Sequence, residues 1–506
     1  MKRTRLLSVL LAALFCAGCS TLPSSFTDSS VDDDPRPTTS QTSPVIGPLT
    51  DFAVCFSPSD VLNPFRASTR VNRELSFLLY EGLTALDADW EAQPALASSV
   101  EQTDDTHLRV SLRADARFSD GTAVTAADVE ASFAAARKAD AYAVLLENVR
   151  SVTAAEDGAL IVTLESPDPQ AECCLSFPVV PAADVAADTP RGSGPYRPAD
   201  GDRLVVNPYY PTAPAITEIG LSNLSRNDDM LYGLESGDIA YFFNDLSDGE
   251  VVRTVSTLTG SVAVPMNYLV FLGINSNKAP LSDARLRTAL SGAIDRETLC
   301  GTAFSGYAQS AVTPFHPQWK QAAELSGFSA DENISQTVAQ LKELGYNTDG
   351  SEGTAAGQTL TLELLVGSGN AFREAAAVQI AAQLQKVGIT VTVTTLPYET
   401  LLSRLKRGEF ELYLGEIRLS ADKSLRPLLT RGGAAAYGVP AASMEAYEAY
   451  LSGASSLSQF VAAFTEQAPF LPLCWRMGIA AYHRGVSGIS PTGLNPYYGI
   501  TGWSLS

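Results

Sequence analysis

Alternating apolar and polar residues mark strands, and apolar recurrence every three to four positions marks helices. Leu108-Arg109-Val110-Ser111-Leu112 alternates and predicts a half-buried strand. Ser119-Asp120-Gly121-Thr122 follows as a turn. Thr125, with Asp128 three positions on, predicts the capped start of an amphipathic helix carrying Val129 and Phe133. Ala159 to Leu164 predicts another strand. The clearest run comes later, where Leu360, Leu362 and Leu364 alternate. Ala371 to Val387 predicts a helix with Val378, Ile380, Leu384 and Val387 as its apolar positions, stopped by Gly388. Ile389, Val391 and Val393 alternate again, Pro397 to Arg407 predicts a helix, and Phe410 to Leu414 a strand. This strand-helix-strand-helix-strand order predicts an α/β fold, a sheet flanked by helices. The chain carries no internal repeat and no heptad run.

The pattern changes at the N-terminus. Lys2, Arg3 and Arg5 precede an apolar run from Leu6 to Phe15. That run falls short of the roughly 20 residues a membrane-spanning helix needs and has the flanks of a secretory signal. It ends in Cys16-Ala17-Gly18-Cys19, which resembles the lipobox of bacterial lipoproteins. The resemblance implies cleavage before Cys19, a lipid on its thiol, and a place on the outer, extracytoplasmic face of the cell membrane. Residues 1–19 are thus expected to be a lipoprotein signal peptide. Residues 20–50, rich in Ser, Thr, Pro and Asp, are expected to be a disordered linker with a reach of roughly 30 Å. No later segment has the 18 or more consecutive apolar residues of a membrane span.

Composition narrows the function. The 506 residues would allow three or four domain-sized units of about 150 residues each. With 45% hydrophobic and 18% charged residues, the body is globular rather than disordered. There are 35 Lys and Arg against 56 Asp and Glu, a net charge of −21, which loss of Lys2, Arg3 and Arg5 deepens to −24. Such a balance argues against nucleic acid and against docking on anionic lipid. Three histidines, His107, His316 and His483, leave little room for a multi-His metal site. The body's five cysteines contain no Cys-x-x-Cys pair, so neither a disulfide scaffold nor a zinc ribbon is expected. Cys173-Cys174 is either a strained vicinal disulfide or, in the favoured reading, two small residues packed on opposite faces. Cys55, Cys300 and Cys474 read as buried small hydrophobes.

Catalytic motifs fail one by one. No Walker-type phosphate loop is present. Gly192-Ser193-Gly194-Pro195-Tyr196-Arg197 begins like a dinucleotide fingerprint but ends in Arg, with Pro195 interrupting it. Gly485-Val486-Ser487-Gly488-Ile489 misses the nucleophile elbow at its last position. The expectation is no catalytic residue, no metal site, no cofactor and no enzyme.

A wider set of residues resembles the bacterial extracellular solute-binding proteins of family 5, the peptide- and nickel-binding components of ABC importers. Asn63-Pro64 and Tyr80-Glu81-Gly82-Leu83 open the match, and Pro94-Ala95-Leu96-Ala97 follows. Its strongest part runs from Leu112-Arg113 through Phe118-Ser119-Asp120-Gly121-Thr122 to Thr125-Ala126-Ala127-Asp128-Val129. Ser193-Gly194-Pro195-Tyr196, Gly237-Asp238-Ile239, Asn275, Pro280, Asp283 to Arg287, Ala289-Leu290 and Ala293 to Arg296 continue in order. Leu341 to Tyr346, Gly388-Ile389 and Pro469 to Leu473 complete it. Each string is weak and their joint order is specific. Asp120-Gly121, Thr125, Asp128 and Ser193 to Tyr196 read as turn, cap and crossing elements that do not touch a ligand.

The resemblance implies a two-lobed, periplasmic-binding-protein-like fold with an inserted subdomain and a hinge between the lobes, which closes on its ligand. Lobe 1 would be 51–264 plus 483–506, with the insertion at about 70–185, and lobe 2 would be 265–482. The chain would cross between lobes near Tyr268 to Asn275 and near Pro469 to Tyr482. In peptide-binding members an Asp in a Trp-x-Ala-Asp segment pairs with the peptide's ammonium. Here the stretch reads Leu419-Ser420-Ala421-Asp422, with Leu419 in place of the aromatic, so Asp422 is the candidate ammonium partner. Arg418 is a candidate carboxylate or pocket contact. Ser59, Asp60 and Val61 correspond to a stretch that pairs with a peptide backbone. Arg431 to Gly438, including Tyr437, stands where a longer loop is usual. The expected partners are a small solute, first a short peptide, and a membrane permease, with the protein itself a monomer. A nickel chelate, haem, a sugar or a signalling peptide is the alternative ligand. A lipid-anchored hydrolase or a structural surface lipoprotein is the more remote reading.

Overall fold

The computed structural model describes residue 49, residues 51–247, residue 249, residues 256–348 and residues 357–506. The signal segment, Cys19 and all of the linker except Leu49 lie outside the described residues. The described residues form one compact unit.

The elements follow the pattern closely. His107–Leu112 and Leu160–Leu164 are strands of a four-stranded antiparallel sheet, in the order Ala97–Asp104, His107–Leu112, Leu160–Leu164, Val149–Ala154. The helix Ala126–Ala136 covers it, opened by the capping box of Thr125 and Asp128. Later, Leu360–Gly367 runs parallel to Ile389–Leu396 across the helix Ala371–Gln385. Gly388, at φ 83°, ends that crossover. The last predicted strand is shifted. It spans Leu412–Arg418, so it starts two residues late and carries Glu416 and Arg418 as well. Val378 departs from the expected apolar stripe, for it is 62% exposed while Ile380, Leu384 and Val387 are buried.

A single sheet ties the molecule together. Its order is Ile389–Leu396, Leu360–Gly367, Leu412–Arg418, Thr259–Ile274, Phe470–His483, Tyr241–Asn244, Ala53–Phe56, Glu218–Asn223, Arg203–Val206, Tyr196–Ala199. The two long strands at its centre pair antiparallel, Thr259 opposite His483 and Gly273 opposite Phe470. One end of each belongs to a different half. Tyr241–Asn244 pairs with Ile479 to Tyr482, whereas Tyr268 to Ile274 pairs with Leu412–Arg418. Between these halves the ladder slips, from Pro265 to Leu269. Pro265 has no amide hydrogen to donate there. Asn267 secures the slip by donating from Nδ2 to the carbonyls of Leu419 (2.9 Å) and Ser420 (3.1 Å).

Gly192 and Gly194 show why the Ser193-to-Tyr196 string tolerates no bulk. A Cβ on Gly192 would stand 1.9 Å from the Leu79 carbonyl oxygen, and one on Gly194 2.6 Å from the Leu79 carbonyl carbon. The string crosses the end of the helix Arg70–Leu79 at backbone contact, and the Gly194 amide donates to Leu79 O at 2.9 Å. All five described cysteines are buried free thiols, so Cys173-Cys174 is not a disulfide here.

Candidate functional site

The strand Leu412–Arg418, the helix Tyr398–Lys406 and the loop after the short helix Arg426–Leu429 line an open cavity of about 650 Å³. That volume lies within the roughly 300–1,000 Å³ of small-molecule sites. The helix ends are stabilised by charges that complement its dipole, with Glu399 in the first turn and Arg404 and Lys406 in the last. Leu401, Leu402 and Leu405 turn toward the cavity, and Tyr398, 65% exposed, stands at the mouth. Gly415 lets the Phe271 ring lie against the strand, since a Cβ there would meet that ring at 2.5 Å. The segment 430–437 folds back over the short helix through Ala435 N donating to Pro427 O at 2.8 Å, and so brings Arg431 and Tyr437 to the wall. Val144 and Glu147 face the cavity from the four-stranded sheet's side of the molecule.

The charged groups of this wall are unevenly spoken for. Glu416 lies between Arg476, at 3.3 Å, and Arg373, at 3.8 Å. Arg426 donates to Asp168 at 3.3 Å and to the Pro167 carbonyl at 2.9 Å. Arg418 lies over the Tyr268 ring at 5.6 Å. It feels the field of half-buried Glu74, yet among the described residues no carboxylate reaches ion-pair distance of Arg418 or Arg431.

Of the residues expected from sequence, Arg418 and Tyr437 line the cavity, and Asp422, Leu419, Ser420 and Ala421 do not. Leu419 is buried in a cluster with Trp90 and Trp319, and Ala421 packs against the core of the four-stranded sheet. Asp422 is enclosed between these anchors. Its carboxylate accepts from the Ser420 hydroxyl, from the Ser424 amide at 3.2 Å and from the Cys174 thiol at 3.7 Å. Burial, together with the charge of Asp168, pushes its pKa up to about 6 against the pull of Ser420, Ser424 and Lys423. The void touching Asp422, Asp168 and Lys423 measures only about 10 Å³, room for about one water. Lys423 is itself buried. Its Nζ donates to the Trp90 carbonyl and to Cys173 Sγ at 3.2 Å, beneath the Trp319 ring. Ser59, Asp60 and Val61 also stand apart from the cavity. Asp60 holds its own loop, accepting from the amides of Val61 (2.9 Å), Ser68 (2.9 Å) and Thr69 (2.7 Å).

Reasoning from sequence missed Arg373, Tyr398, Glu416, Arg426 and Arg431. The Tyr398, Leu401, Leu402, Leu405 spacing is legible, but it equally describes a helix face packed on a core.

The family model for bacterial extracellular solute-binding proteins, family 5 Middle, matches residues 91–434. The chain belongs to this family. It is therefore a substrate-binding protein of an ABC importer, extracytoplasmic and not an enzyme, with the mixed α/β, two-lobed architecture of its neighbours. The oligopeptide-binding protein AppA of Bacillus subtilis is 24% identical over 373 residues, 68% of either chain. Among solved structures, a nickel ABC transporter protein from Bacillus halodurans is similar with a TM-score of 0.76 at 19% identity, over 90% of this chain and 99% of that one. NikA from Brucella suis in complex with Fe(III)-EDTA is similar with a TM-score of 0.69 at 20% identity, over 90% of this chain and 100% of the other. At these identities the structural likeness establishes the fold alone.

Proposed function

We propose that this protein captures a small solute, first a short peptide, in the 650 Å³ cavity and passes it to its permease. The cavity itself carries the reading. Its apolar walls (Leu401, Leu402, Leu405, Phe271) suit side chains, and its few charged groups suit a polar end. The kinship with an oligopeptide-binding relative favours peptides. Arg418 and Tyr437 are the ligand contacts foreseen in the sequence that this site supports. The lobes are 51–264 plus 483–506, with the insertion at about 70–185, and 265–482, and they bend about the slipped ladder at Pro265 to Leu269. Lipid on Cys19 holds the protein, as a monomer, at the outer membrane face.

A metal chelate is the second reading, favoured by the arginines that a chelator's carboxylates would meet. None of the three histidines lines the cavity, so the metal would have to arrive with its ligands already on it. Mass spectrometry of the small molecules released on denaturing the purified chain tests both. Peptides are expected, a metal chelate would replace them with the second reading, and a sugar or haem would overturn both.

A further inference from the structure

The charge of the whole chain and the charge of its cavity have opposite signs. The chain carries −21, yet the cavity wall holds Arg373, Arg418, Arg426 and Arg431 against Glu147 and Glu416. Glu416 is bracketed by Arg373 and Arg476, and its side chain is only 7% exposed, so it offers little to a ligand cation. Asp168 occupies Arg426. Glu147 is exposed at the opposite wall. What the cavity presents to a solute is then chiefly the guanidinium groups of Arg418 and Arg431, both exposed. Arg418 lies over the Tyr268 ring and, among the described residues, has no carboxylate at ion-pair distance, so its fork is available to an oxyanion. Meanwhile Asp422, the acid that the family resemblance assigns to a ligand ammonium, is closed off. Asp422 sits beside a void of about 10 Å³, with the chain's own Lys423 and Arg426 supplying positive charge to the Asp168–Asp422 pair.

We propose that this protein selects solutes by a carboxylate or similar oxyanion, held by Arg418 and Arg431, and that it does not recognise a free α-ammonium. Lys423, its Nζ held by the Trp90 carbonyl and Cys173 Sγ, supplies positive charge in the closed surroundings of Asp422. The inference deepens the solute-capture reading and rests on it, because it names the chemical end by which the cavity takes its ligand.

The test compares two tripeptide libraries of matched side chains by calorimetry, one N-acetylated with free carboxylates, the other with free amines and C-terminal amides. The N-acetylated acids are expected to bind, with affinity reduced tenfold or more in Arg418→Gln or Arg431→Gln and changed less than about twofold in Asp422→Asn. Binding of the amides as tightly as the acids would overturn the inference and leave solute capture standing. If neither library binds, thermal shifts with citrate and EDTA against spermidine decide it. Stabilisation by the carboxylates that is lost in Arg418→Gln keeps the inference while sinking the peptide reading. Stabilisation by spermidine, or by none of the three, overturns it.

Discussion

His316 shows how far a residue's surroundings outweigh its type. As a lone histidine its sequence context is silent. In the fold it is buried between Trp90, with ring centroids 4.6 Å apart, and Trp475, at 5.0 Å. Its Nδ1 accepts the Gln318 amide at 2.9 Å, which places its proton on Nε2 and keeps the ring neutral. Burial pushes its pKa down to about 3. In the interval from the ordinary value of 6.5 down to about 3 the unfolded chain binds a proton that the folded chain refuses, so stability falls as pH falls through that window. Thermal melts of His316→Gln should show a lower melting temperature at pH 7 but a shallower decline toward pH 4 than the parent. An unchanged acid slope would contradict this. Asp422 shows the same limit on sequence reading. Its motif position was legible, but its enclosure depends on Cys174 and Asp168, more than two hundred residues earlier, as the hydrogen bond of Cys174 to Asp422 spans 248 positions.

Elements were more legible than their partners. Alternation and capping marked the strands and helices of 360–418 because those patterns report a local choice of backbone. They could not show that the face of Tyr398–Lys406 lines a cavity, since core and cavity want the same residues. Nor could they show that the turn 171–176, the strand pair around Trp90 and the loops 315–321 and 419–426 meet as a clasp. There Gln318 reaches the Ala88 carbonyl at 2.7 Å, Lys423 the Trp90 carbonyl, and Arg426 Asp168. Trp90 and Lys423 both adopt left-handed backbone, φ 59° and 56°, a costly state for such residues unless neighbours enforce it. Asp168→Ala should destabilise the protein by about 1–3 kcal/mol, by leaving the half-buried Arg426 guanidinium with the Pro167 carbonyl alone. Asp168→Leu combined with Arg426→Met should cost less than that single change. Urea unfolding measures both, and equal losses would show that the ion pair contributes little.

For the whole molecule, the family order of motifs was readable because it runs along the chain, while the cavity's charge was not, because it is assembled from separate elements. The lipid anchor proposed at Cys19 would be a property of the entire protein and is tested as such. In Cys19→Ser the chain should leave the membrane fraction or remain uncleaved, while its ligand content stays the same. Continued membrane association of a cleaved form would argue against a lipid at that site.

The two central strands also set an order of assembly. Tyr241–Asn244 cannot complete its pairing until Ile479 to Tyr482 is present, and Thr259 pairs with His483. The half that holds the chain's beginning thus waits for its end. Contacts so distant in sequence slow folding. For a protein that works outside the cytoplasm, such an order would leave the body unfolded, and so fit to be threaded across a membrane, until nearly the whole chain has been made.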